Sequence, residues 1–154
     1  MRIDFHASER SSLGVEWELQ LVDLQSRQLT EGAIEILEEM RPEGAEEHPK
    51  AKHELLQSTV EVITGVCTTV AEAKSDLAGT VAEVRAAAER RGLGLMCAGT
   101  HPITAWQTQQ ISPKERYLQL REARLDAMLL LGRHAEAALE AHALAAAHPL
   151  HERF

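Results

Sequence analysis

Leu13-Gly-Val-Glu-Trp-Glu-Leu-Gln-Leu-Val-Asp23 alternates in character along its length. Val15, Trp17, Leu19 and Leu21 share one parity, and Glu16, Glu18 and Gln20 share the other. A period of two is that of a strand with one apolar and one polar face. Upstream, residues 1–12 read as an irregular lead-in. Downstream, Thr30 to Met40 reads as a helix with Ile34, Leu37 and Met40 on one side. Pro42, Gly44 and Pro49 then mark a Glu-rich loop. Residues 53–66, HELLQSTVEVITGV, are dense in Thr, Val and Ile and predict a second strand.

Thr68 or Thr69 is placed to cap a long helix ending near Arg91, with Val70, Ala73, Leu77, Val81 and Val84 as its apolar stripe. Gly92 stands where that helix stops. Leu93 to Ala98 predicts a third strand, ending in Gly99-Thr100-His101-Pro102. Ser112-Pro113-Lys114-Glu115 then combines a capping Ser with Pro at the first helical position and Glu three residues on. The helix it starts runs to Leu131, Gly132 ends it, and an Ala-rich helix follows from Arg133 to about Ala147. The expected architecture is an α+β domain over residues 1–112 and a C-terminal αα-hairpin over 113–154.

The 154 residues carry 16 Lys and Arg against 24 Asp and Glu, a formal charge of −8, and only 3% are aromatic. An acidic chain with few stacking platforms is a poor partner for nucleic acid or an anionic membrane. Cys67 and Cys97 are the only cysteines, with no C-x-x-C, so neither a disulfide framework nor a zinc cluster is indicated. No apolar run reaches the roughly 18 residues of a spanning helix, and the start lacks the layout of a signal peptide. The cytoplasm is the expected compartment.

Four glutamates carry the chemistry worth weighing. Glu16 and Glu18, two apart on a strand, project to one face about 6.5–7 Å from each other. Such carboxylates either face solvent on an edge strand or grip a hard cation such as magnesium. Glu54 and Glu61 differ in parity on one strand, so they share a site only if a bulge or twist intervenes. Glu61, within Val60-Glu61-Val62-Ile63, is costly on an interior strand unless paired or metal-bound. Gly99 to Pro102 makes either a turn or the mouth of a site with His101 in it. The two cysteines read as small core residues. His134, His142, His148 and His151 have no acidic or Cys partner that completes a metal site.

Three runs closely resemble the glutamate–cysteine ligase type 2 family, carboxylate–amine ligases of the glutamine-synthetase-like fold. They are Leu13 to Asp23; Lys52-His-Glu-Leu-Leu-Gln-Ser-Thr-Val-Glu-Val-Ile-Thr-Gly-Val-Cys67; and Ala98-Gly-Thr-His-Pro-Ile-Thr-Ala-Trp106, followed by Gln110-Ile-Ser-Pro and Glu115-Arg-Tyr117. The resemblance implies a partial glutamine-synthetase-like antiparallel sheet with flanking helices. It implies ATP-dependent ligation of glutamate to cysteine, or to another amine, through γ-glutamyl phosphate. It also implies Mg2+ or Mn2+ on Glu16, Glu18, Glu54 and Glu61, with Glu16 and Glu18 catalytic, and Thr64, His101 and Arg116 in substrate binding. Trp106 and Tyr117 lie in the same motifs without an assigned role.

Members of that family continue through a His-Val-His-Val-Gly strand, which this sequence does not contain, so a truncated ligase is expected. Residues 121–154 resemble instead the tetratricopeptide-like helical activator domain of actinobacterial regulators. Their apolar face of Leu125, Met128, Leu129 and Leu139 would dock a partner or a second copy. The alternative function is therefore a non-catalytic interaction module, and a homo-oligomer suits either reading. A DNA-binding regulator is disfavoured by the charge and by the lack of a DNA-binding domain.

Overall fold

The computed structural model describes residues 10–130, 132–133 and 137–138. Four strands form one antiparallel sheet: β1 (Glu16–Asp23), β2 (Ala51–His53), β3 (Thr59–Ile63) and β4 (Leu93–Met96), in the order β2-β3-β1-β4. Helices α1 (Ala33–Met40) and α2 (Val70–Glu89) cover one face, and α3 (Glu115–Leu130) follows a single 3-10 turn at Trp106–Thr108. This is a mixed helix-and-strand fold with a four-stranded antiparallel sheet.

β1 is an interior strand, paired with β3 on one side and β4 on the other. Its alternation is carried through the ladder. Leu19 faces Val60 and Leu21 faces Leu95, and the apolar row packs with Ile36, Leu37, Val84, Ala87 and Ala88 beneath the helices. α2 has a complete capping box, in which the Thr69 hydroxyl accepts from Glu72 N–H while the Glu72 carboxylate takes the Thr69 N–H. Gly92 stops it with φ +70°, a left-handed conformation that a Cβ disfavours.

Three expectations are corrected. The run 53–66 is not one strand but the end of β2, a reversal at Glu54–Ser58, and β3. The backbone of that reversal is engaged elsewhere. The Gln57 carbonyl accepts from Gly32 and Ala33 at the start of α1, Gln57 N–H donates to Gln110, and Ser112 N–H donates to Leu55. α1 begins at Ala33 rather than Thr30, because Thr30 N–H is held by Leu21 and Leu29 N–H by the Thr104 hydroxyl. Its buried face accordingly turns from Ile34 to Ala33, Ile36 and Leu37. Ser112 does not cap α3, since its hydroxyl donates to the Glu54 carbonyl at 2.5 Å and ties the helix start to the reversal.

At the far end of α3, Gly132 takes φ +72°, as a helix stop requires. Beyond it Ala137 N–H donates to the Arg133 carbonyl, and residues 137–138 are helical. The remainder of the expected second helix, with Leu139, His134, His142, His148 and His151, lies outside the described residues.

Candidate functional site

The second face of the sheet carries the charge. The pairing sets Glu18 directly opposite Glu61, Glu16 opposite Ile63, and Lys52 of β2 opposite Glu61 on its other side. Opposed antiparallel residues place their Cβ atoms about 4.5–5.5 Å apart, a distance at which like charges repel. Glu16 and Glu18 are exposed, while Glu61, on an interior strand, is half-buried. Burial first, then Glu16, Glu54 and Glu18, push the Glu61 carboxyl above its usual range, and Arg116 opposes them.

Glu54 joins this group because the chain reverses after it. The parity conflict expected for a single strand does not arise, since Glu54 opens the reversal that follows β2 while Glu61 lies in β3. Tyr117, buried at the start of α3, holds Glu54: its phenol lies 3.2 Å from the His53 carbonyl and 3.4 Å from Glu54 Oε2. Arg116 stacks on the Tyr117 ring, 4.4 Å from its centroid, and donates to the phenol oxygen. The first turn of α3 thus brings a cation and a phenol to the acidic face.

The four glutamates share one electrostatic field but not one ligand sphere. Among the described residues, no three His, Cys, Asp or Glu side chains are grouped to hold a metal ion. The donor chemistry nevertheless fits a hard divalent cation. The set is all oxygen, and on the same row of β1 the side-chain oxygen of Gln20 is buried without a hydrogen-bond partner.

The remaining expected residues divide between the site and its scaffold. Thr64 ties the end of β3 to Val15: its hydroxyl accepts from Val15 N–H at 3.0 Å and its own N–H donates to the Val15 carbonyl. His101 is buried, and its Nδ1 accepts from Thr104 N–H at 3.0 Å, bracing its own turn. Trp106 is exposed on the 3-10 turn. Gly99, in contrast, lines a cleft of about 440 Å3 beside Glu16, Glu18 and Cys97. Cys97 is exposed and accepts the Trp17 indole N–H at 2.9 Å, while Cys67 is buried as expected.

A second cleft, of about 510 Å3, opens beside Glu61 and brings in residues that sequence reasoning passed over: Glu47, Lys52 and Lys114. Lys52 lay within the quoted motif and Lys114 within the helix start. Neither pattern signals that both reach Glu47, a residue of the loop between α1 and β2.

An antiparallel sheet with one helix-covered face and one open acidic face, edged by Lys and Arg, defines the class: a mixed helix-and-strand protein built to present carboxylates and cations side by side. Comparison with known proteins is consistent with this. The model of glutamate-cysteine ligase family 2 matches residues 12–142, and the chain belongs to that family. The match runs past residue 120 into the helical segment.

A Frankia alni protein named "Putative glutamate--cysteine ligase 2-1" is 59% identical over 121 residues, covering 78% of this chain and 32% of that protein. A Thermobifida fusca protein named "Putative glutamate--cysteine ligase 2" is 54% identical over 124 residues, 79% of this chain and 31% of its own length. A Mycobacterium bovis protein of the same name is 43% identical over 119 residues, 77% and 30% respectively. The chain spans about a third of the length of these relatives. No helix among the described residues is long and apolar enough to cross a membrane.

Proposed function

We propose that this chain supplies the acidic part of an ATP-dependent ligase that joins the γ-carboxylate of L-glutamate to the amine of L-cysteine. The observation that carries the reading is the Glu18–Glu61 pair across β1 and β3, where burial and then Glu16 and Glu54 raise the proton affinity of Glu61. A repulsive group on an open sheet face is what a cation site leaves when its carboxylates are set in advance. Glu16, Glu18, Glu54 and Glu61 would hold Mg2+ or Mn2+, which when bound neutralises phosphate charge on an otherwise acidic protein.

In this reading a γ-carboxylate oxygen of glutamate displaces ADP from the terminal phosphorus of ATP. The cysteine nitrogen then attacks the acyl carbon, phosphate leaves, and the amine proton passes to solvent or a nearby base. Tyr117 positions Glu54, and Arg116 offers its guanidinium to the anionic end of a substrate. The working compartment is the cytoplasm, and a homo-oligomer is compatible with this reading.

The test is mass-spectrometric detection of γ-glutamylcysteine with glutamate, cysteine and Mg-ATP, beside Glu18→Gln. Expected is product that falls by about 10²–10³-fold in the variant, the scale of losing one charge-stabilising group. Substituting other amino acids for cysteine reads the amine accepted. Independently of turnover, Mg2+ should raise the melting temperature of the parent chain and not that of Glu18→Gln. A folded parent that yields no product with any amine overturns the reading.

A further inference from the structure

The cleft beside Glu61 contains an arrangement that the four glutamates of the acidic face do not explain. Glu47 presents both carboxylate oxygens to ammonium groups: Oε2 takes Lys52 Nζ at 3.2 Å, and Oε1 takes Lys114. These lysines come from the sheet edge and from the start of α3, and Glu47 comes from a third element, the loop before β2. Two cations converging on the two oxygens of one carboxylate form a receptor for an oxyanion. Arg116 lines the same cleft and, among the described residues, has no carboxylate within ion-pair distance. Facing these three cations are Glu47, Glu61 and Glu115. His53, the remaining wall, is held toward its neutral form by burial and then by Lys114.

We propose that Lys52 and Lys114, with Arg116 beside them, are the oxyanion seat of this cleft, and that Glu47 is its internal occupant. An incoming carboxylate or phosphate displaces Glu47 and takes the two ammonium groups in its place. Glu47 is suited to leave. Its side chain is 46% exposed, and its loop turns at Gly44 with φ +77°. Lys114 and Lys52 hold its carboxyl down to about 2, so it competes as a full anion at every physiological pH. The ligase reading bears only on which oxyanion arrives; the seat stands on the charge geometry.

The test is calorimetric titration of the intact chain with sodium tripolyphosphate, and separately with L-glutamate, in metal-free buffer. Parent, Glu47→Gln, Lys114→Arg and the double variant Lys52→Gln/Lys114→Gln are compared, each first shown to be folded by circular dichroism. Glu47→Gln should bind about two- to threefold tighter than the parent, because two partly exposed ion pairs no longer have to be broken. Lys114→Arg should bind, and the double variant should lose binding in both titrations. Tighter binding of tripolyphosphate identifies a phosphate seat, and tighter binding of glutamate a carboxylate seat. A Glu47→Gln chain that binds neither anion, or no more tightly than the parent, overturns the proposal. Anion binding without ligase product leaves the seat standing and removes the ligase reading; product with unchanged substrate KM in the double variant does the reverse.

Discussion

The two faces of one sheet are built on opposite principles. Beneath α1 and α2 the core cluster is apolar, and Leu21, Ile36, Val60, Val62 and Val84 are fully buried. On the other face Glu18 and Glu61 confront each other, and Glu16 and Glu54 add to the repulsion. Burial of apolar surface, at roughly 25 cal/mol per Å2, stabilises the first face and makes it able to carry the cost of the second. The strands therefore act as a beam: one side anchors, the other holds charges where solvent alone would not gather them.

Substitutions on the anchoring side should have the largest effects. Leu21→Ala empties a fully buried position between the sheet and α1, and chemical denaturation should show a loss of about 2–5 kcal/mol. Thr69→Ala removes the hydroxyl that accepts Glu72 N–H. It should cost about 1 kcal/mol by the same measurement.

On the charged side the sign reverses. The Glu61 carboxyl is raised in the folded chain, so the folded state holds its proton more tightly than the unfolded one. Ionised Glu61 then opposes folding at neutral pH. Glu61→Gln should gain about 0.2–1 kcal/mol at pH 7, a gain that disappears as the pH falls below the ordinary value of 4.5. A loss of stability at pH 7 would show that the two faces do not differ in the way described.

Glu47 has the opposite linkage. Its carboxyl is lowered to about 2, so its contribution is present above 4.5 and declines as the pH falls toward 2. Glu47→Gln should be the smallest effect, a few tenths of a kcal/mol lost at neutral pH and nothing at the acid end, as for an exposed ion pair. Thermal melts across that range check both glutamates together.

Much of the anchoring face was legible. The parity of Val15 to Leu21, the cap at Thr69 and the stop at Gly92 are local signals, and local geometry answers to them. Glu61 was legible as an expensive interior charge for the same reason: a strand of Val and Ile on both sides is seldom an edge. The acidic face as a group was not. The reversal at Glu54–Ser58 is imposed by hydrogen bonds to α1 and to Gln110–Ser112, partners more than 20 residues away in either direction. Thr64 and His101 were placed in motifs by resemblance, and only the structure shows that the Thr64 hydroxyl and His101 Nδ1 each accept a backbone N–H.

By itself, then, the sequence determined the periods and punctuation of this protein: which residues of β1 turn inward, where α2 starts and stops, and the family to which the motifs belong. Only the tertiary structure decided that Glu54 sits at a reversal beside the strand that carries Glu61, that Tyr117 holds Glu54, and that Lys52 and Lys114 meet on Glu47. The physical reason is range. A period or a cap is settled by neighbours within one turn or two residues, whereas Lys114 and Glu47 are 67 positions apart and meet only when the sheet edge brings them together.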